Sequence, residues 1–392
     1  MSARALALPR LPGVDPLGAL LASAGALAAI LLPFVVFKPN RIVPGDPHTL
    51  GEVLPAAGAW GCQAILVLAA LTALAVTDAR VRLAAAVLGI AAIALAAGAA
   101  GDALTPPGNR VVRIAPGGAF WALLVCLTLM ATDAITRLHP GPLLRVLLLA
   151  LALGVAGALL AHGTFDHLSI MREYAVNAGR FAREARQHVW LAVGSLAGAV
   201  LVALPLGILC HRAPRLRPGV LGTLNVIQTI PSIALFGILM APLAALAASV
   251  PLAASLGIRG IGAAPAALAL FLYSLLPITA NTVAGLRRVP QAAVEAAHGM
   301  GMTRRQVLLS VELALAMPVI LTGIRIVLVQ NIGMVTIAAL IGGGGLGTFV
   351  FEGIGQTAID LVLLGAIPIV VLAFSAAVLL DALVEVMDRT PS

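Results

Sequence analysis

A group of charged side chains lies in residues 295–312, which read EAAHGMGMTRRQVLLSVE. Only 10% of all residues are charged, yet two arginines and two glutamates fall within this segment. Arg304 and Arg305 would occupy the first turn of a helix, where each positive charge opposes the helix dipole by roughly 0.3–1 kcal/mol. Anionic lipid headgroups or an acidic groove on a partner protein would offset that cost. The residue types therefore fit either a surface in contact with lipid headgroups or an element that docks onto another protein.

The same segment carries local signals for two short helices with a sharp bend between them. Pro290 suits the first turn of a helix, and the alanine-rich sequence QAAVEAAH continues that helix. Gly299 or Gly301 can adopt the left-handed conformation that ends it. Thr303 and Gln306 then form a T-x-x-Q capping box, which begins the second helix. The alanines keep the first helix slim, so another surface can approach it closely.

Nucleotide and dinucleotide motifs are incomplete in this chain. A Walker A loop needs a lysine within a glycine loop, and the single lysine, Lys38, stands in FVVFKPN. The run 341–347, IGGGGLG, contains the spacing G-x-G-x-x-G, but a dinucleotide fingerprint requires a strand–turn–helix unit. Because glycine adopts otherwise strained dihedral angles, we expect Gly343, Gly344 and Gly345 to form a hinge or gate in a loop.

The remaining reactive side chains form no hydrolytic or metal-binding motif. The seven histidines include no HExxH, and no G-x-S-x-G is present. His162 and His167 stand five residues apart beside Asp166, in a predicted loop. The three cysteines are far apart and lack metal-ligand or redox spacing. We therefore expect no catalytic residue, no metal site and no bound cofactor.

Composition indicates that these residues belong to a membrane protein. Of the 392 residues, 61% are hydrophobic, against roughly 45–50% in soluble domains, and the mean hydropathy is +1.07. Apolar runs of about 20 residues, the length of a membrane-spanning helix, recur along the chain. The sequence therefore predicts an all-α polytopic membrane protein with about ten transmembrane helices. They are placed near 17–37, 57–77, 83–101, 117–133, 143–162, 190–210, 220–248, 263–286, 318–340 and 362–385.

Basic residues indicate the orientation of these spans. With the N-terminus inside, the inner segments hold 14 arginines and the outer segments hold nine basic residues, while Arg325 lies in the ninth span. Trp60, Trp121 and Trp190 all fall at predicted outer span ends, where an indole prefers the interface. Both termini are therefore predicted to be cytoplasmic. The net charge of +8 then reflects membrane topology and not nucleic-acid binding.

The predicted spans form two sets of five, separated by an amphipathic segment. In residues 168–187, LSIMREYAVNAGRFAREARQ, apolar side chains recur at steps of three and four. This pattern predicts a helix lying on the outer membrane surface. The chain is therefore divided into a five-span N-terminal extension at 1–162, a connecting helix at 163–188 and a five-span core at 189–392.

Neutral polar residues in three adjacent core spans are candidates for lining a solute pathway. Pro231 and Pro277 free backbone carbonyls that could face a cavity, and both are candidate hinges. Each polar side chain taken alone fits a helix–helix hydrogen bond better, but together they suggest a weakly binding path. The candidates are Asn225, Gln228, Thr229, Ser232, Tyr273, Asn281, Gln330, Asn331 and Thr336.

An ion-coupled secondary transporter of a small organic solute is the main alternative. Such proteins usually need ionisable groups inside the membrane. Every acidic residue here is predicted to lie in a loop or near a span end, with Asp78, Asp133, Asp381 and Glu385 closest to the membrane interior. The pattern therefore favours an energy source outside this chain.

The charged segment is similar to a known family motif. Glu295, Ala296 and Ala297, followed by Gly301 and an apolar helix, resemble the EAA loop of binding-protein-dependent ABC importer permeases. That family usually has proline near position 314, where this chain has Ala314. The resemblance implies a type I permease core in the C-terminal half, with a loop at 290–313 that docks onto an ATPase. The coupling residues it implies are Glu295, Ala296, Ala297, Gly301, Thr303, Arg304 and Arg305.

Longer stretches of the core resemble one class within that family. IQTIPSIALFGIL, LFLYSLLPITANTVAGL and PVILTGIRIVLVQNIGMVTIAALIGGGGLG look like permeases for osmoprotectants such as glycine betaine and choline. The first 162 residues resemble the N-terminal extension of one subgroup of glycine betaine uptake permeases.

The resemblance implies a function and a set of partners. The chain would be the bacterial inner-membrane, multi-pass permease subunit of an ATP-driven importer, and not an enzyme. A separate cytoplasmic ATPase would bind Mg-ATP, and an extracytoplasmic binding protein would deliver the solute. A second permease subunit, identical or homologous, completes the expected complex in the lipid bilayer.

Overall fold

Helices make up most of the chain in the computed structural model, which describes residues 15–40, 43–109 and 111–388. Nine helices of that described part are long and apolar enough to cross a membrane, and a tenth apolar helix has 16 residues. Residues 1–14 and 389–392 of the predicted domains lie outside the described residues. The helices are α1 Pro16–Leu31, α2 Leu50–Val53, α3 Ala56–Ala75, α4 Ala79–Leu104, α5 Gly118–Leu138, α6 Pro142–Ala161, α7 Ser169–Arg212, α8 Arg217–Thr229, α9 Ser232–Ser249, α10 Pro251–Ser255, α11 Ala263–Arg288, α12 Gln291–Gly299, α13 Arg304–Gln306, α14 Leu313–Ala338, α15 Gly347–Gly355 and α16 Ile359–Asp388.

A small sheet and two irregular helical turns complete the elements. The strands are β1 Val35–Lys38, β2 Asp46–His48 and β3 Arg113–Pro116, in the order β2-β1-β3. Both pairings are antiparallel, and Val35 lies opposite His48 on one side and Pro116 on the other. A π-helical turn, Val307–Glu312, joins α13 to α14, and a 3-10 turn, Ala339–Ile341, follows α14.

The predicted first span, 17–37, is wrong in its second half. Helix α1 ends at Leu31, and Leu32 is extended with φ −111° and ψ 149°. Leu32 precedes Pro33, and the ring of a proline disfavours the helical conformation of the residue before it. The chain therefore leaves the helix and enters β1 four residues later.

Backbone contacts divide the chain into two compact units. Among the described residues, the first contains those up to 141 together with 150–176, and the second contains 142–149 together with those from 177 onward. The predicted boundary at 188–189 falls inside α7, which continues through it. The first two turns of α6, residues 142–149, thus belong to the second unit, although the fifth predicted span was assigned to the extension.

Small residues let the helices of the first unit pack closely. A Cβ atom added at Gly18 of α1 would lie 1.8 Å from the Ala73 carbonyl oxygen of α3. Such close approach of helix backbones is typical of membrane proteins, where dispersion contacts replace the hydrophobic effect between helices. The apolar core of this unit includes Phe34, Ile93 and Leu127.

A fully buried arginine is compensated inside the first unit. Arg82, which is 0% exposed, pairs with Asp15, and its Nη2 lies 3.3 Å from Oδ2 of Asp133. Arg137 also donates to Asp15, at 2.6 Å. Burial alone would raise the pKa of the Asp15 carboxyl, but the two arginines hold that pKa below its usual value. The cluster pairs two positive with two negative groups.

The predicted surface helix at 168–187 is wrong, because this segment is the first part of the 44-residue helix α7. No glycine–proline break separates it from the following span, and the single proline within α7 is Pro205. Among its polar side chains, Arg180 binds Glu352 of α15, and Glu184 and Gln187 bind the loop that precedes α15. The amphipathic pattern therefore marks a face that packs on protein.

The predicted seventh span, 220–248, is two helices in the structure. Helix α8 ends at Thr229 and α9 begins at Ser232, with Ile230 extended and Pro231 at the N-cap of α9. Pro231 has no backbone N–H and disfavours a helical residue before it. The hydroxyl of Tyr273 donates to the carbonyl oxygen of Ile230 at this break.

Helices α11 and α14 form the centre of the second unit. A Cβ atom added at Gly285 of α11 would lie 2.9 Å from the Ala316 carbonyl oxygen of α14. One at Gly323 of α14 would lie 2.7 Å from Cβ of Asn281. These glycines bring the two backbones together, and buried apolar residues such as Ile278 and Val327 fill the space around them.

Candidate functional site: the coupling segment and the polar core

The coupling segment, residues 290–313, begins with a helix that ends in a tight bend. After α12, Gly301 adopts the left-handed conformation with φ 83°. The Met302 N–H donates to the Ala297 carbonyl at 3.1 Å, and the Gly301 N–H donates to the His298 carbonyl at 2.9 Å. These two bonds form a Schellman motif. The predicted left-handed helix end is confirmed, at the second of the two candidate glycines.

The second helix begins with the predicted capping box, which is confirmed. The Thr303 N–H donates to Oε1 of Gln306 at 2.8 Å, and the Gln306 N–H donates to Oγ1 of Thr303 at 3.4 Å. The helical path then continues from Arg304 to Ile341 through the π-helical turn. Such turns are frequent at functional sites. The bend is therefore continuous with a membrane span, so a movement of the bend would also move that span.

The residues of the EAA motif face in two directions. Ala297 is 1% exposed, as is Val307 in the following π-helical turn, so this side of the segment is closed by the chain itself. Glu295 and Ala296 are exposed. The Glu295 carboxylate accepts a hydrogen bond from Nε2 of Gln291, one turn earlier, at 3.3 Å. The segment thus offers a slim outer face with one carboxylate.

Arg304 and Arg305 lie on the exposed side of the second helix. Neither makes an ion pair with a residue of the described chain. Two arginines in the first turn of a helix interact unfavourably with the helix dipole. No ion pair with the described residues offsets this cost. The outer face of the coupling segment therefore retains charges that an external surface can satisfy.

A residue pair that the sequence analysis missed ties this segment to α7. Nη2 of Arg212, at the end of α7, donates to Oε2 of Glu312 in the π-helical turn at 2.6 Å. The Glu312 side chain is only 8% exposed. The two residues are 100 positions apart, so no local pattern could reveal their contact.

The candidate pathway residues occupy four helices, α8, α9, α11 and α14. Asn331 and Ser274 are both fully buried, and Nδ2 of Asn331 donates to Oγ of Ser274 at 3.1 Å. This bond joins α14 to α11, as a helix–helix contact would. Asn225, Gln228 and Thr229 lie on α8, Ser232 begins α9, Tyr273 and Asn281 lie on α11, and Gln330, Asn331 and Thr336 lie on α14.

Several of these side chains bind to nearby backbone or side-chain groups. Nδ2 of Asn281 donates to the Pro277 carbonyl at 2.8 Å, and Oγ1 of Thr229 donates to the Val226 carbonyl at 2.7 Å. Nε2 of Gln330 contacts Sδ of Met334, at 3.5 Å. Their role in a pathway stays a prediction, because these bonds serve packing in the conformation seen here.

The glycine-rich loop after α14 takes conformations that require glycine. Gly342, Gly344 and Gly345 have φ of 75°, 73° and 89°, whereas Gly343 has no positive φ. The Gly345 N–H donates to Oε2 of Glu184 in α7 at 2.7 Å. The loop is therefore held by side-chain contacts, and its predicted role as a hinge or gate stays a prediction.

Arg325 has a carboxylate partner that its position in the sequence did not reveal. It pairs with Asp381 of α16, whose Oδ2 also accepts from Nη1 of Arg145 in α6 at 2.8 Å. Arg145 pairs further with Glu385. Two arginines and two carboxylates thus neutralise one another at one end of these helices. Among the described residues, Asp381 is thus bound by two arginines and Glu385 by one.

The described residues contain no group of three or more histidine, cysteine, aspartate or glutamate side chains placed to hold a metal ion. Cys62 and Cys210 are buried and Cys126 is half-buried, and all three are free thiols.

Two family models match the chain. One, described as the N-terminal domain of the ABC transporter permease YehY, matches residues 15–171. The other, described as the binding-protein-dependent transport system inner membrane component, matches residues 203–391. The first covers the helices of the N-terminal extension. The second covers the coupling segment and the spans around it.

Curated relatives match the second half of the chain. The osmoprotectant import permease protein OsmW of Salmonella typhimurium strain LT2 is 44% identical over 197 residues, which are 50% of this chain and 86% of that protein. The carnitine transport permease protein OpuCB of Listeria monocytogenes is 36% identical, over 52% of this chain and 87% of that protein. The choline transport system permease protein OpuBB of Bacillus subtilis strain 168 is also 36% identical, over 56% and 92%.

A solved structure of the MetNI methionine ABC transporter, in an inward-facing conformation, is also similar. Its TM-score is 0.47 and its identity is 20%, over 53% of this chain and 96% of that one.

The expected fold class, an all-α polytopic membrane protein with an importer permease core in its C-terminal half, is confirmed by the family matches and the nine spans of the described residues. ATP hydrolysis in this family belongs to a separate chain. This chain belongs to the binding-protein-dependent ABC importer permeases, as a multi-pass subunit of the inner membrane.

Proposed function

We propose that this permease imports small quaternary ammonium osmoprotectants, of the glycine betaine, choline and carnitine class. The proposal rests on the relatives named for osmoprotectant, carnitine and choline transport, which are 36–44% identical over most of their own length. The neutral polar residues of the core suit this solute class. A deep unpaired carboxylate would bind a fixed positive charge too tightly for release, and in the described core Asp381 is already paired with arginine.

We further propose that the coupling segment receives the force of a separate ATPase. The observation that carries this proposal is the exposed outer face of 290–313, where Glu295 and Ala296 point away from the chain and Arg304 and Arg305 lack partners among the described residues. The bend is fixed by two backbone hydrogen bonds and one capping box. A segment with a rigid base and an unsatisfied charged surface fits a groove on another protein.

The expected complex holds a pair of permeases, identical or homologous, with the ATPase and an extracytoplasmic binding protein. Mg-ATP is bound by the ATPase, and the permease itself carries no cofactor in this proposal. Aromatic residues make up 4% of the chain, and tight recognition of quaternary ammonium usually needs an aromatic cage. Capture by a separate binding protein would supply that recognition.

Reconstitution into liposomes tests this function. The permease is purified with the ATPase and binding protein that accompany it, and uptake of labelled glycine betaine, choline and carnitine is measured with and without ATP. We expect uptake that requires ATP and the binding protein. Counterflow of solute by the permease alone, without an ATPase, would instead support an ion-coupled transporter.

A further inference from the structure

One side of α7 holds the glycine-rich loop that follows α14. Oε2 of Glu184 accepts hydrogen bonds from the Gly345 N–H at 2.7 Å and from Oγ1 of Thr348 at 3.3 Å. Nε2 of Gln187, one turn along α7, donates to the Gly343 carbonyl at 3.2 Å. Side chains three or four positions apart lie on the same face of a helix. The loop backbone is therefore bound at two points by one helix face.

The same face of α7 also binds the helix after the loop. Arg180 makes two parallel hydrogen bonds to Glu352 of α15, one of them from Nη1 to Oε2 at 2.8 Å. Its guanidinium carbon lies 5.2 Å from the ring centroid of Phe349, which is fully buried. Bidentate pairing and cation–π contact both favour one fixed geometry.

The backbone of the glycine-rich loop lies close to the side chains on this face of α7. Gly344 and Gly345 are both left-handed, a conformation that glycine adopts without steric cost. A Cβ atom at Gly344 would lie 3.1 Å from Oε2 of Glu184, and one at Gly345 would lie 3.2 Å from Nδ1 of His188. The glycines thus allow the loop backbone to approach the side chains of α7.

Helix α7 also reaches the coupling segment at its other end, through Arg212 and Glu312. Residues 184 and 212 are separated by a helical rise of about 42 Å at 1.5 Å per residue. That distance is comparable to a bilayer of about 40–45 Å with its headgroups. Helix α14 makes the same connection, since the coupling segment precedes it and the glycine-rich loop follows it. Helices α7 and α14 are therefore connected at both ends. The Arg212–Glu312 pair connects them at one end, and the contact of Glu184 with the glycine-rich loop connects them at the other.

We propose that Arg180, Glu184 and Gln187 are positioning residues of the transport cycle, which latch the glycine-rich loop and α15 in the resting conformation. The latch opens when the ATPase closes on the coupling segment, so this inference rests on the proposed function. A mutation that destabilises one of two conformations moves the equilibrium toward the other conformation. Because coupling between sites is reciprocal, loss of the latch favours the ATPase-closed state without the binding protein.

The test uses the complete complex in liposomes. Glu184→Ala and Arg180→Ala are compared with Arg186→Ala, whose guanidinium Nε donates to the Ala182 carbonyl of α7 itself. We expect Glu184→Ala to raise ATP hydrolysis without binding protein roughly tenfold, because the loop loses the hydrogen bonds that this carboxylate accepts from Gly345 and Thr348. Solute transported per ATP should fall, and Arg186→Ala should behave as wild type.

Hydrogen exchange of the amides at 343–348 provides a second readout that does not depend on transport. The latch predicts faster exchange of this loop in Glu184→Ala and unchanged exchange in Arg186→Ala. If Glu184→Ala does not insert, Glu184→Gln and the charge swap Arg180→Glu with Glu352→Arg take its place, and the swap should restore the wild-type ATPase rate.

Wild-type ATP hydrolysis and loop exchange in the latch variants would overturn the proposal. An equal effect of Arg186→Ala would overturn it too, because any change of α7 would then suffice. Absence of ATP-driven uptake by the wild-type complex would contradict the proposed function instead, while the exchange comparison would still decide whether the loop is latched.

Discussion

Nη2 of Arg212 lies 2.6 Å from Oε2 of Glu312, and this pair joins the end of α7 to the π-helical turn of the coupling segment. Arg212→Ala would leave the Glu312 carboxylate, 8% exposed, without its cation. We expect a loss of about 1–2 kcal/mol in the free energy of unfolding, less than for a fully buried pair because Arg212 is half exposed. Thermal unfolding in detergent measures it.

The exposed Arg215, which pairs with no described acidic residue, gives the matched control for Arg212. Arg215→Ala should leave the unfolding temperature unchanged. Equal unfolding temperatures for the two variants would show that the Arg212–Glu312 pair does not stabilise the coupling segment.

Reversal of the charge at Glu295 should abolish ATP-driven uptake. This carboxylate lies on the exposed face of α12, where its contact within the chain is the amide of Gln291. Glu295→Arg would therefore place a positive charge on the docking face while changing no buried contact, and the protein should insert in normal amounts. Uptake in liposomes, normalised to inserted protein, checks this expectation. Glu295→Gln is the size-matched control, and normal uptake by Glu295→Arg would contradict a docking role.

Substitution of Gly301 should disturb the bend through its backbone alone. Its φ of 83° lies in the left-handed region, but a Cβ atom there would meet no other atom within 4 Å. Gly301→Val should thus cost about 1–2 kcal/mol of backbone strain and strongly reduce ATP-driven uptake. Gly299→Ala is the control, because Gly299 is helical and equally open. It should be neutral or slightly stabilising, and a similar loss in both variants would contradict the backbone explanation.

The hydroxyl of Tyr273 should stabilise the break between α8 and α9. It donates to the Ile230 carbonyl next to Pro231. Tyr273→Phe would leave this carbonyl without that donor, at a cost of about 1–3 kcal/mol. Thermal unfolding in detergent should show the loss. An unchanged unfolding temperature for Tyr273→Phe would mean that another group satisfies the carbonyl.

Local signals in the sequence were sufficient for the coupling segment. The left-handed Gly301 and the Thr303–Gln306 capping box depend on residues within a few positions of one another, and both are present in the structure. Most predicted apolar spans agree with helices of the structure for the same reason, because each span depends on neighbouring residues. Periodicity also found the amphipathic face of 168–187, but it could not tell whether lipid or protein covers that face.

Long-range pairs could not be predicted. Arg325 and Asp381 are 56 positions apart, and Arg145 reaches Asp381 across 236 positions. Two span boundaries were missed for a different reason, since Pro33 and Pro231 each end a helix inside an apolar run. Hydropathy averages over a window and does not register one residue that stops the helix.

The central claim is that the outer face of the coupling segment binds an ATPase, and site-specific crosslinking tests it most directly. A single cysteine at the exposed Ala296, in a background without Cys62, Cys126 and Cys210, is joined to a crosslinker in membranes that contain the whole transporter. We predict a covalent adduct with the ATPase from position 296, and none from a cysteine at the exposed Val176 of α7. Absence of the ATPase adduct from position 296, or labelling of that cysteine by an impermeant reagent added outside the cell, would contradict the account.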